Sequence, residues 1–200
     1  GKGSTIAFIR AMAEAAGLKV HVYTSPHLVR FNERIRLAGE LIADARLSAI
    51  LDRIEAVRGV EATVFETTTA AAFVAMAEVP ADLAIIEVGL GGSLDATNVI
   101  DRPLLSVIAP VDYDHAEFLG TRIEGIAGEK AGILKAGARG IVARQQEAAM
   151  AVIEARAASV LTPLTVMGTD FDAWAERGGM VYQDQERFLD LPAPGLRGPH

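Results

Sequence analysis

Between Leu83 and Val88 the chain runs L-A-I-I-E-V, and between Leu104 and Ala109 it runs L-L-S-V-I-A. Neither run alternates apolar with polar positions. Each has the near-continuous apolar character of a short strand buried on both faces of a parallel sheet. Lys19 to Thr24 (K-V-H-V-Y-T) predicts a further strand, and Gly140–Ala143 and Leu164–Met167 predict shorter ones. Helical periodicity fills the intervals. Residues 4–17 put Ile6, Ile9, Ala13 and Ala16 on one face and stop at Gly17. Asp44 caps a predicted helix that runs to about Arg58, another begins near Thr67 and ends before Pro80, and two more cover Ile123–Leu134 and Gln146–Ala158. Within the irregular segment 25–42, Ile35 and Leu37 alternate with Arg34 and Arg36 as in a short half-buried strand. The tail from 170 onward changes character: a Gly-Gly pair separates residues that suggest small antiparallel strands at Met180–Tyr182 and Arg187–Leu189. Strands alternating with helices predict an α/β fold with a mostly parallel sheet flanked by crossover helices, plus a small antiparallel β addition near the C-terminal end.

Composition narrows the function classes. The chain has 200 residues, 50% hydrophobic and 22% charged, which is ordinary globular usage and excludes disorder as the default. A net charge of −7 provides no global basic field for nucleic acid or anionic lipid. With no cysteine there is no disulfide framework and no thiolate metal site, which suits a reducing cytoplasm. No apolar run approaches the ~20 residues of a membrane span, and no signal peptide is visible. The chain opens on G-K-G-S-T, which reads as the second half of a phosphate loop, and closes on L-R-G-P-H within a predicted loop. The expectation is therefore a piece of a longer enzyme.

Five segments carry candidate chemistry. Gly1-Lys2-Gly3-Ser4-Thr5 opens the first helix. Phosphate binding needs exposed amides at a helix start, a lysine for the terminal phosphates and a hydroxyl for Mg²⁺, with glycines that admit a close approach; a frayed glycine-rich terminus would look the same. Ser25-Pro26-His27 ends the second predicted element, at the edge where open parallel sheets bind ligands. A serine there can reach a metal, and a proline turn with a hydrogen-bonded histidine is the plain alternative. Glu87 closes a strand and runs into G-L-G-G-S-L-D-A-T-N. Its carboxylate suits Mg²⁺, while Gly89, Gly91 and Gly92 suit positive φ and Asp95 or Asn98 an Asx turn. His115, in D-Y-D-H, is a candidate metal ligand or a solvated loop histidine. Lys130, in G-E-K-A-G-I, is either half of a surface Glu-Lys pair or a buried amine able to take up CO₂ as a carbamate. Placed on the predicted sheet, the first four lie at strand ends on one rim, as a nucleotide–Mg²⁺ centre requires.

The segments G-K-G-S-T, T-S-P-H-L-V-R-F-N-E-R-I, F-E-T-T-T-A-A-A-F, E-V-G-L-G-G-S-L-D-A-T-N, D-H-A-E-F-L-G and E-K-A-G-I-L-K resemble the dihydrofolate synthase/folylpolyglutamate synthase family of the ATP-dependent Mur ligase superfamily. The match is dense over residues 1–145 and looser beyond. It implies a P-loop ATP-binding central domain over 1–200, truncated inside the phosphate loop and lacking the C-terminal glutamate ligase domain. It also implies ATP-driven amide formation between L-glutamate and a folate-type carboxylate, dihydropteroate or a folylpolyglutamate, in folate metabolism, by a cytoplasmic monomer. By the same resemblance Gly1, Lys2, Gly3 and Ser4 hold ATP, and Lys2, His115 and Lys130 serve catalysis. Ser4, Ser25 and Glu87 hold one Mg²⁺ and His115 a second, supported by a carbamylated Lys130. Phe65, Glu66, Leu94, Asp95 and Ala96 meet the pterin substrate. Three departures stand out: Ser93 replaces the family's arginine, D-Y-D-H is one residue longer than usual, and the upstream loop and second domain are absent, so the isolated chain is expected not to turn over. A cell-wall Mur ligase differs in usually following the loop lysine with threonine, where Gly3 stands here, and in lacking S-P-H-L. A non-catalytic P-loop ATP-binding module, or a catalytically dead paralogue suggested by Ser93, are the other readings.

Overall fold

The computed structural model describes residues 1–57, 59–113 and 121–195. They divide into two units, one of Lys2–Leu90 with Asp95–Val99, the other of Gly1, Gly91–Leu94 and the described residues from Ile100 onward. Each has its own apolar core.

The first unit contains α1 (Lys2–Ala15), β1 (Val20–Tyr23), β2 (Ile35–Leu37), β3 (Glu40–Leu41), α2 (Asp44–Val57), α3 (Val64–Ala77) and β4 (Leu83–Ile86). Its sheet has the order β3-β2-β1-β4. β1 and β4 run parallel from Val20↔Leu83 to Tyr23↔Ile86, and β2 pairs antiparallel with β1. The central strand β1 is buried at every position, its histidine included. α3 comes close to this sheet because its inward residues are small: Ala71, Ala72 and Ala75 are fully buried. Thr68 and Thr69 are buried too, and their hydroxyls donate back to the carbonyls of Val64 and Phe65 at 2.6 and 2.8 Å. Thr69 Oγ1 thus has its proton committed, so the Tyr23 hydroxyl, 3.0 Å away, is the donor in their bond. Burial pushes the Tyr23 phenol above its usual range. His21 pins three elements: its Nδ1 accepts the Ala38 amide at 2.9 Å and its Nε2 donates to the Val79 carbonyl at 2.9 Å.

The second unit contains β5 (Leu105–Ile108), α4 (Ile123–Ala131), β6 (Arg139–Val142), α5 (Glu147–Val160) and β7 (Leu164–Val166), followed by β8 (Phe171–Glu176), β9 (Gly179–Asp184) and β10 (Phe188–Pro192). β5-β6-β7 form a parallel sheet. Ile108 and Val142 share a core with Ile123, Ile126 and Ala127 of α4 and Ala149 and Ile153 of α5. The antiparallel addition is a three-stranded meander, one strand larger than the sequence predicts. The turn joining β8 to β9 is Arg177-Gly178, both at positive φ (47° and 82°), the conformation that matches strand twist in a two-residue hairpin. β1 and β4 thus share one sheet, while β5 belongs to another. Among the described residues no helix is long and apolar enough to cross a membrane.

Candidate functional site

The parallel pairing of β1 and β4 brings their carboxyl ends side by side. The ladder continues one step past β4: the Glu87 amide donates to the Tyr23 carbonyl at 2.8 Å. The sheet itself therefore delivers Glu87 beside the Thr24-Ser25 turn, and Glu87 Oε2 accepts the Ser25 amide at 3.2 Å. Lys2, in the first turn of α1, reaches the same place. Its Nζ donates to the Val88 carbonyl at 2.7 Å and stands 4.0 Å from Glu87 Oε1. α1 has no acidic residue in its first turn, so the positive end of the helix is left uncompensated for an anion.

Burial sets the electrostatics. The Glu87 side chain is 7% exposed, that of Lys2 42%. Removal from water pushes the Glu87 carboxyl above its ordinary range, opposed by the Ser25 amide and the Lys2 charge. One long amide bond and one distant ammonium leave most of the carboxylate's acceptor capacity unused. A buried carboxylate so lightly compensated, with a serine and a lysine next to it, fits a divalent cation bridging to phosphate oxygens. Among the described residues no cluster of three or more carboxylates and imidazoles occurs; any cation here shares its coordination with hydroxyl and phosphate oxygens.

The loop that follows Ser25 is held rigid by a residue the sequence reading leaves unassigned. Glu33 accepts the amides of Leu28 (2.7 Å), Val29 (3.2 Å) and Arg30 (2.8 Å), and these bonds hold its carboxyl below the usual range. His27 Nδ1 accepts from Arg34 Nε at 3.0 Å, and the Arg34 guanidinium lies 5.1 Å from the Phe31 ring centre. His27 is therefore the hydrogen-bonded histidine of the plainer reading, and Ser25 alone faces the carboxylate.

The expected substrate residues have local tasks. Phe65 packs against Tyr23, with ring centres 6.2 Å apart, and a Cβ on Gly89 would overlap its ring. Glu66 Oε2 accepts the amide and hydroxyl of Thr63 at 2.7 and 2.8 Å, while Thr63 Oγ1 accepts the Glu66 amide at 3.2 Å, a reciprocal cap on α3. Asp95 accepts the Leu90 amide at 2.8 Å and the Thr97 amide and hydroxyl at 3.0 and 2.5 Å. Ala96 is half-buried and opens a short 3₁₀ turn to Val99, and Leu94 is 95% exposed. Gly3 has open space around it, and Ser4 is half-buried in α1. Gly91 is the one residue of the expected glycine trio at positive φ (67°); Gly89 and Gly92 serve close approach instead.

The cap yields a first prediction. Thr63→Ala should cost about 1 kcal/mol of stability at neutral pH. The Thr63 bonds hold the Glu66 carboxyl below its usual range, so their stabilising contribution is present above that range and is lost as pH falls through the lowered folded value. Urea midpoints of wild type and Thr63→Ala should therefore draw closer between neutral pH and about pH 3 without meeting, because the bond from the Glu66 amide to the Thr63 hydroxyl does not depend on pH; a gap that stays constant would contradict this.

Lys130 lies in the second unit, in the last turn of α4 and half-buried. The Gly92-Ser93 segment docks on the same turn: Ser93 donates its amide (2.9 Å) and its hydroxyl (3.2 Å) to the Glu129 carbonyl. The structure thus brings Lys2, Ser25 and Glu87 together and ties the Lys130 helix to the glycine-rich loop. The D-Y-D-H histidine, His115, lies outside the described residues.

No family model matches the chain. Sequence relatives are nevertheless clear. The dihydrofolate synthase/folylpolyglutamate synthase of Bacillus subtilis (strain 168) is 46% identical over 161 residues, covering 76% of this chain and 37% of that protein. The structure of E. coli FolC in complex with DHPP and ADP superimposes with a TM-score of 0.92 at 34% identity, over 99% of this chain and 48% of that one. The Yersinia pestis bifunctional folylpolyglutamate synthase/dihydrofolate synthase complexed with AMPPNP and Mn ion gives 0.90 at 36% identity, over 98% and 48%. The chain spans half or less of the length of each.

Proposed function

We propose that this chain, a homologue of dihydrofolate synthase/folylpolyglutamate synthase, is the nucleotide-binding part of an ATP-dependent ligase that joins L-glutamate to a folate-type carboxylate, dihydropteroate or a folylpolyglutamate. The observation that carries this reading is the buried Glu87 carboxylate met by Ser25 and Lys2 where β1 and β4 end. The FolC and Yersinia pestis complexes with ADP, DHPP, AMPPNP and Mn support it by likeness.

In this reading Gly1 and Gly3 admit the phosphates to the backbone, and the Lys2 ammonium exchanges the Val88 carbonyl for a phosphate oxygen. Ser4, Ser25 and Glu87 hold Mg²⁺, which supplies neutralisation of phosphate charge. A carboxylate is a poor acylating group. Transfer of the terminal phosphoryl group to it gives an acyl phosphate, and the glutamate amine then displaces phosphate through a tetrahedral intermediate. Negative charge accumulates in both steps, and Lys2 is placed to meet it. His115 serves a second Mg²⁺, and Lys130 supports it as a carbamate. Phe65, Leu94 and Ala96 offer the pterin apolar contact, with Glu66 and Asp95 as braced carboxylates beside it.

The test is ADP release by the longer parent chain with Mg²⁺, ATP and L-glutamate. Dihydropteroate or a folylpolyglutamate should stimulate it, and the 200-residue chain alone should show no substrate-dependent release. Stimulation by a muramyl nucleotide instead would transfer the chain to the cell-wall ligases. Nucleotide binding with no acceptor-dependent release in the parent would leave a non-catalytic ATP module.

A further inference from the structure

Glu33 does more than cap the short 3₁₀ turn Phe31–Arg34. A cap needs one bond from its side chain, and the Arg30 amide supplies it at 2.8 Å. Glu33 also accepts the amides of Leu28 and Val29, at 2.7 and 3.2 Å, and both lie outside the turn. Leu28 is 92% and Val29 84% exposed, so packing holds neither. The carboxylate holds them instead, through charge-assisted hydrogen bonds. Arg34 completes the grip from the next position. Its carbonyl accepts the Thr24 amide at 2.9 Å, and its Nε donates to His27 Nδ1 at 3.0 Å. The pair Glu33-Arg34 thus fixes the chain immediately before Ser25 and again from His27 to Arg30. Ser25 lies between these two holds. Its amide donates to Glu87 Oε2 at 3.2 Å, and its hydroxyl makes no hydrogen bond among the described residues. A neutral hydroxyl draws a divalent cation less strongly than a carboxylate does, so its contribution depends on being in place beforehand.

We infer that Glu33 is a positioning residue for the Ser25 hydroxyl. By holding the amides of Leu28, Val29 and Arg30 it fixes the turn, so that Ser25 and Glu87 can close on one divalent cation where β1 and β4 end. This rests on the reading of Ser25 and Glu87 as cation ligands.

Mn²⁺ binding in the presence of AMPPNP, read from the electron paramagnetic resonance signal of free Mn²⁺, tests it without turnover. Glu33→Gln keeps the shape of the side chain and removes its charge. It should weaken Mn²⁺ binding by about tenfold, the loss usual when the support of a ligand is removed. The amides of Leu28, Val29 and Arg30 should exchange at least about tenfold faster in the same variant, while those of β1 and β4 stay as protected as in wild type. Glu33→Asp, with the charge on a shorter arm, should fall between the two in both measurements. Ser25→Ala should itself weaken Mn²⁺ binding. In that background Glu33→Gln should cost less than about twofold, because the group it positions is gone. An equal loss in both backgrounds overturns the inference, since Glu33 would then act by a route other than Ser25. So does unchanged Mn²⁺ affinity in Glu33→Gln beside a weakened Ser25→Ala. Loss of β1 and β4 protection in both Glu33 variants overturns it as well, by making the carboxylate a residue of the fold. Wild-type affinity in Ser25→Ala would remove Ser25 from the cation site, and the inference with it.

Discussion

If the proposed ligase reading holds, Glu87→Gln is expected to lower glutamate-dependent ADP release by roughly 10²–10³, the loss usual for one preorganised electrostatic group. The substitution keeps the shape of the side chain and its place beside the Ser25 amide, 3.2 Å away, and removes only the charge. The metal-free protein should respond with the opposite sign. Burial already places the ionised Glu87 at a disadvantage in the fold, and the partner that would be lost, Lys2, is 4.0 Å away and 42% exposed, a geometry worth little to stability. The melting temperature of Glu87→Gln without Mg²⁺ should therefore equal or exceed that of wild type, while the rise produced by Mg²⁺ and nucleotide together should largely vanish. A carboxylate that only stabilised the strand end would give the reverse: a lower melting temperature and turnover within a few-fold of wild type. That pattern would remove Glu87 from the site.

The parts of this molecule that were legible in its sequence are those whose cause is local or simply apolar. β1, β4 and β5 announce themselves as short, mostly apolar runs, and the structure shortens each by two residues. Glu87 and Ser25 were readable because a strand-end carboxylate and a strand-end serine occupy the edge where parallel sheets bind ligands. β8 was missed: Phe171–Glu176 puts Phe171, Ala173 and Ala175 on one face and Asp172, Trp174 and Glu176 on the other, a mixture with no clean period. The partner of Lys2 is a backbone carbonyl, that of Val88, and carbonyls leave no mark in a sequence. Glu66 and Asp95 teach a different lesson. T-V-F-E at 63–66 has the spacing of a reciprocal helix cap and D-A-T at 95–97 that of an Asx turn. The Asx turn at Asp95 was legible from its residues alone, whereas the cap at Glu66 was present only as an unread pattern. The glycines show the limit most sharply. Gly91 answers a torsional demand, whereas Gly89, Gly92 and Gly132 answer a spatial one set by segments distant in the chain.

That spatial demand makes two glycines of one helix end respond oppositely to alanine. Gly132 has ordinary helical angles, φ −59° and ψ −16°, so its backbone would accept a side chain. The neighbour would not: a Cβ there would overlap Ser93 Oγ and stand 2.7 Å from both the Cα and Cβ of Ser93. Ser93 cannot swing aside, because its amide and hydroxyl both hold the Glu129 carbonyl, 36 residues along the chain. Gly92 meets the same helix from the other side, with a Cβ placed 2.5 Å from the Glu129 oxygen and 3.2 Å from the Lys130 Cα. Either alanine must push the loop off α4, at a cost of about 1–3 kcal/mol for overpacking. Both act by separating the same two surfaces, so the double variant should cost clearly less than the sum of the single ones. Gly128, one turn earlier, is the control. A Cβ there finds ordinary contact with Val152 Cγ1 at 3.7 Å, and the gain in helix propensity should make Gly128→Ala neutral or up to about 1 kcal/mol stabilising. Chemical denaturation of the four variants decides the matter. Under the proposed ligase reading, Gly92→Ala and Gly132→Ala should also lower turnover, because they displace the backbone that carries Lys130, whereas Gly128→Ala should leave it intact. Additive costs, or a Gly132→Ala as benign as Gly128→Ala, would mean that the loop and helix are not held together by this contact.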